Sequence, residues 1–130
     1  MQVSSKTERG RPLVVVRGEI DHGNSSDLQA EIDKYMQGGE TTLLLDLTDV
    51  TYIDSGGVSV LLSTVRKLRE HGWLGAIRPN ADVRRLIEIV GLKADNGFRI
   101  FEDLDSVDTP ADKAAVAEPA TNSGAETTDP

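Results

Sequence analysis

Asp54-Ser55-Gly56-Gly57 is the group of residues in this chain best suited to chemistry. It joins an apolar run to a segment in which Val58, Leu61, Leu62, Val65 and Leu68 recur at i, i+3, i+4 and i+7, the spacing of a helix face turned toward a core. Ser55 therefore falls at or beside a helix N-terminus. There the first backbone N–H groups lack intrahelical partners and the macrodipole favours negative charge. A side-chain oxygen at that point, or a phosphate carried on it, finds ready donors. Gly56 and Gly57 occupy the first turn, where poor helix formers cost less than the roughly 1 kcal/mol each of a helix interior. Their missing side chains allow another backbone to approach Ser55. Two readings stay open on these residues: a serine switch that takes up a charged group, or an Asp-Ser cap of ordinary turn composition.

Two catalytic readings draw on the same segment. Ile53-Asp54-Ser55-Gly56 has the aliphatic-Asp-Ser-Gly form of half an aspartic protease site, in which two such chains pair their carboxylates. That architecture is mostly β, whereas the residues after Gly57 carry a strong helical period. A serine hydrolase is the weaker candidate, because Ser55 lacks the Gly-x-Ser-x-Gly elbow. The only two histidines, His22 and His71, lie in turn-like segments that suggest surface positions. With no Walker A loop and no His-rich pattern, the sequence points to no metal, no cofactor and no enzyme.

The elements that must position Ser55 follow from patterning. The 130 residues fit one domain. Val3 to Thr7 and Leu13 to Arg17 read as a β-hairpin, and Gly18-Glu19-Ile20-Asp21 as a turn leaving the sheet. Asn24, Ser25 or Ser26 caps a helix with Leu28, Ile32, Tyr35 and Met36 on one face and Gly38-Gly39 at its end. Leu43 to Leu47 is a buried strand, Trp73 to Ile77 the next, and Phe98 to Phe101 a short last one. Asp82 or Asn80 caps a third helix that presents Val83, Leu86, Ile87 and Val90 inward and stops at Gly91. Alternating strands and helices after a hairpin predict an α/β sandwich: a mixed central sheet of four or five strands, parallel from Leu43 onward. Asp21, Asp54 and Ser55 all follow strands, the usual place for functional groups in such sheets.

Charge is unevenly spread. Residues 103–130 hold seven acids against Lys113 alone, so they carry -6 of the formal net charge of -8 and leave -2 for the other 102 residues. A near-neutral body without a basic stripe argues against nucleic acid as a direct partner; the small Arg66, Lys67 and Arg69 cluster reads as a solvated helix face. Cysteine is absent, which excludes disulfides and thiolate chemistry. No apolar run is long enough to cross a bilayer and no secretory leader is evident, so a cytoplasmic protein is expected. Residues 1–104 make up the expected domain, and 105–130 an acidic tail expected to be disordered, mobile from Ala111 onward.

The order of elements and the residues at their junctions resemble the STAS domain, specifically the bacterial anti-sigma factor antagonists. Three matches carry the resemblance: Gly18-Glu19-Ile20-Asp21 after the second strand, Asp46-Leu47 through Ile53-Asp54-Ser55-Gly56-Gly57-Val58, and Val83-Arg84-Arg85-Leu86 through Val90-Gly91-Leu92. The resemblance implies a partner-switching regulator of sigma-factor-dependent transcription. In such antagonists the serine matching Ser55 is phosphorylated by an anti-sigma factor that is itself an ATP-dependent serine kinase. The unmodified antagonist binds that kinase and frees the sigma factor, and a PP2C-type phosphatase restores it. Asp21, Asp54, Ser55, Gly56 and Gly57 are then the expected partner-binding residues and Ser55 the phosphorylation site, on a monomer or weak dimer. Gly56 departs from the family, where many relatives carry a second Ser or Thr, and so does the acidic tail. STAS modules also serve as scaffolds of stress-signalling complexes and as accessory subunits of membrane transporters, the alternative functions.

Overall fold

The computed structural model describes residues 1–108; of the tail expected at 105–130, all but residues 105–108 lies outside the described residues. Five strands form one mixed sheet in the order β1-β2-β3-β4-β5: Gln2–Glu8, Arg11–Ile20, Thr42–Ile53, Trp73–Ile77 and Phe98–Phe101. β1 runs antiparallel to β2, and every other neighbouring pair is parallel. The hairpin closes through Arg9 and Gly10, both at positive φ (54° and 75°), as a two-residue turn matched to the twist of the strands requires. Three helices connect the parallel strands: α1 (Ser25–Gln37), α2 (Ser55–Leu68) and α3 (Ala81–Ile89). All three pack on the same face of the sheet, as successive right-handed crossovers would place them.

The sheet buries both faces. Val14, Val16, Ile20, Leu43, Leu45, Leu47, Leu74 and Ala76 meet Leu28, Ile32, Leu61, Val65, Val83 and Ile87 from the helices. The alternate residues Leu13, Leu44, Trp73, Ile77 and Phe101 form a smaller cluster on the other face, closed by Val107. This explains why Leu43 to Leu45 is continuously apolar: β3 is central and covered on both sides. Trp73 is buried at the start of β4, 5.7 Å from Phe101 by ring centroids, with the Arg99 guanidinium 4.4 Å from the centre of its ring. Buried packing thus continues through the 3-10 turn Leu104–Asp108 to Val107, past Leu104.

Two expectations are corrected. Gly18-Glu19-Ile20 does not leave the sheet; it is the end of β2, which runs on past a register shift between Gly18 and Glu19. Gly18 adopts φ 94°, a left-handed value suited to glycine, and so lets the strand kink and continue. β3 is also far longer than Leu43 to Leu47. It reaches Ile53 and pairs with β2 there, whereas its pairing with β4 stops at Asp46.

Candidate functional site

Because β2 and β3 are parallel, their carboxyl ends lie together, and the chain leaving each one enters a helix at that end. Register pairs Ile20 with Ile53, and the Asp54 amide donates to the Ile20 carbonyl at 3.1 Å. Asp21-His22 and Asp54-Ser55 are therefore adjacent although far apart in the chain.

Asp54 caps α2. Its Oδ1 accepts from the Gly56 amide at 2.7 Å and the Gly57 amide at 3.4 Å, satisfying two donors the helix leaves without partners. Its Oδ2 accepts from the His22 amide at 3.2 Å and lies 2.9 Å from His22 Nδ1. Bonding to His22, first among the causes, and to the backbone amides holds the Asp54 carboxyl below its ordinary value of 3.8, so it is ionised at neutral pH. An anionic partner at Nδ1 favours the tautomer with its proton there and its lone pair at Nε2. That nitrogen is 3.3 Å from Ser55 Oγ, and in that tautomer it accepts from the serine hydroxyl. Asp54, His22 and Ser55 thus form a connected chain of hydrogen bonds at the surface.

The two glycines do different work. At Gly56, a Cβ would come within 3.1 Å of the His22 backbone, at both N and Cα. Its bare backbone is what allows the β2–α1 loop to approach Ser55. Gly57 is buried, and a Cβ there would overlap Ile53 Cγ1 and sit 2.9 Å from Ile20 Cγ2; it seats the helix start on the ends of β2 and β3.

Asp21 reaches the same end of the sheet but serves its own loop. Its Oδ1 accepts from the Gly23 and Asn24 amides at 2.8 and 3.2 Å, an Asx-type turn. Asn24 likewise braces this loop and does not cap α1 with its side chain. It accepts from the Asp21 amide at 2.9 Å and donates to the Glu19 carbonyl at 3.0 Å.

Of the residues expected at the site, Asp54, Ser55, Gly56 and Gly57 form one constellation, and Asp21 shapes the loop beside it. His22 is the member that sequence reading set aside as a surface residue. It is exposed, but its ring bridges Asp54 and Ser55. The signal available was its position one residue after Asp21, at the end of a strand parallel to the one that ends at Asp54.

The five-stranded α/β sheet thus presents an exposed, hydrogen-bonded serine at the start of α2. Residues 3–107 match the STAS domain, and the chain belongs to that family. Among curated relatives, the anti-sigma-F factor antagonist RsfB of Mycobacterium tuberculosis is 28% identical over 102 residues, spanning 78% of this chain and 82% of the relative. Among solved structures, an anti-sigma factor antagonist from Mycobacterium paratuberculosis superposes with a TM-score of 0.72 at 26% identity, covering 90% of this chain and 94% of that one. The Bacillus cell fate determinant SpoIIAA in its phosphorylated form has the same fold, with a TM-score of 0.65 at 22% identity over 82% of this chain and 97% of that one. Among the described residues no helix is long and apolar enough to cross a membrane, and no group of three or more His, Cys, Asp or Glu side chains is placed to hold a metal ion.

Proposed function

We propose that this protein is an anti-sigma factor antagonist that works by partner switching in the cytoplasm, with Ser55 as its phosphorylation site. The observation that carries this reading is the division of labour at the start of α2. Asp54 caps the helix, so the exposed Ser55 hydroxyl is left available to an outside enzyme. The relatives named as anti-sigma factor antagonists supply the partner class, and a fold neighbour solved in a phosphorylated form is consistent with the modification.

In this reading the unmodified protein binds an anti-sigma factor that is a serine kinase, through the surface that carries Asp54, Ser55 and Gly56 beside the Asp21 loop. A phosphate on Ser55 brings about -1.5 to -2 charges to a helix start that tolerates anions, so the fold survives. It also stands next to the Asp54 carboxylate and the loop that bears His22. The outcome is a blocked interface with an intact helix. A PP2C-type phosphatase returns the protein to its binding form.

The test is phosphopeptide mapping of the protein purified from its own cells under several growth conditions, paired with capture of partners by the unmodified form. Condition-dependent phosphate on Ser55 and recovery of a small ATP-binding kinase support the reading. Ser55 without phosphate throughout, with transporter subunits or a stress-signalling scaffold recovered, overturns it.

A further inference from the structure

We propose that His22 is the base for phosphorylation of Ser55, so that the protein brings to the reaction its own means of activating the acceptor hydroxyl. The inference rests on Ser55 being a phosphoryl acceptor. Three observations on the structure carry it. Nε2 of His22 stands 3.3 Å from Ser55 Oγ. Nδ1 is held at 2.9 Å by Asp54 Oδ2, which also accepts from the His22 amide at 3.2 Å. The loop that bears His22 is seated against Gly56, where a side chain would press on the His22 backbone. Together they hold the imidazole in the tautomer and position of a general base.

The same geometry says what this triad is not. A serine hydrolase needs donors for the developing oxyanion, one of them the amide of the residue after the nucleophile. Here that amide belongs to Gly56, and it is taken by Asp54 Oδ1 at 2.7 Å, with the Gly57 amide on the same oxygen. The arrangement activates a hydroxyl without an oxyanion hole. It suits a phosphoryl acceptor whose transition-state charge is stabilised by the kinase.

In the transfer, the bond between Ser55 Oγ and the γ-phosphorus of a nucleoside triphosphate forms as the bond from that phosphorus to the β,γ-bridging oxygen breaks. The nucleoside diphosphate leaves with that electron pair, and the hydroxyl proton passes to His22 Nε2. The imidazolium, paired with Asp54, then faces the new phosphate and offsets part of its repulsion from that carboxylate before losing its proton to solvent.

The experiment uses diisopropyl fluorophosphate on the purified full chain, with the labelled serines identified by mass spectrometry. This reagent forms an Oγ–phosphorus bond as fluoride leaves and the hydroxyl proton is taken up, so it reports activation of Ser55 without the kinase. Ser55 should be labelled faster than the exposed Ser26 and Ser59 of the same chain. His22→Gln should slow labelling of Ser55 by about tenfold, less than the hundredfold or more of a sequestered enzyme base, with an unchanged circular dichroism spectrum. Labelling of Ser55 at the rate of Ser26, or at equal rates in the wild type and His22→Gln, overturns the role of His22. Such a result leaves the phosphorylation reading standing, since that falls only if phosphate is absent from Ser55 in the cell.

Discussion

The starts of α2 and α3 share one end of the sheet and the same capping chemistry, yet they use the cap residue differently. At α3, Asn80 accepts from the Val83 amide at 2.8 Å and donates to the Val50 carbonyl at 3.1 Å. Both of these bonds go to the protein's own backbone, and the one to Val50 ties the helix to β3. At α2, Asp54 caps the helix with one oxygen and turns the other to His22, which in turn meets Ser55. The neutral amide closes a structural joint, while the carboxylate closes the joint and organises an exposed hydroxyl. A helix start becomes a site when the cap residue is not the same residue as the reactive one.

That contrast can be broken at several points. The largest effect is expected where α2 is seated on the strands. Gly57→Val drives new carbons into Ile53 and Ile20 and should destabilise the fold by about 2–3 kcal/mol, the cost of overpacking a fitted core, read from urea denaturation. Asn80→Ala should follow at about 1–2 kcal/mol, because it removes a cap and leaves the Val50 carbonyl without that donor.

Acid should then separate the two caps, since Asn80 does not titrate. The folded Asp54 carboxyl lies below its ordinary 3.8. Its ionised form therefore contributes stability above the unfolded value, and that contribution is lost as pH falls through the folded one. Denaturation midpoints followed from about pH 5 down to about pH 2 should show a smaller acid loss in Asp54→Asn than in the wild type. The smallest effect on stability is expected at the reactive residue itself. Ser55→Ala should stay within about 0.5 kcal/mol of the wild type while losing all phosphate at this position. If it is instead as destabilising as Asn80→Ala, Ser55 is part of the joint and the contrast between the two helix starts fails.

Much of this was legible in the residues. The i, i+3, i+4, i+7 pattern from Val58 to Leu68 and the Asp-Ser-Gly-Gly start placed α2 with its serine outside the core, and Gly91 and one of the two caps offered for α3, Asn80, bound that helix in the structure. The hairpin and the mixed sheet were equally accessible, because short strands alternating with helices leave few ways to connect, and the STAS resemblance was carried by the motifs at the junctions. The ends of β2 and β3 were harder to see. Gly18-Glu19 has turn composition, and only the positive φ at Gly18 and the register shift beside it show how the strand continues. Thr48-Asp49 and Thr51-Tyr52 look like loop because β3 has outrun β4 there and those side chains are exposed. His22 was hidden for a different reason. Its bond to Ser55 spans 33 residues and exists only because parallel pairing brings two strand ends together, a relation that no local pattern encodes. The packing of Val107 was not legible because a single apolar residue among polar and acidic neighbours carries no period.

The most direct measurement of the central claim is the affinity of the captured anti-sigma kinase for the unmodified protein against the protein phosphorylated on Ser55, by calorimetry on otherwise identical samples. A weakening of at least about tenfold, or about 1.4 kcal/mol, with an unchanged circular dichroism spectrum is the predicted result. Equal affinity of the two forms would contradict the account.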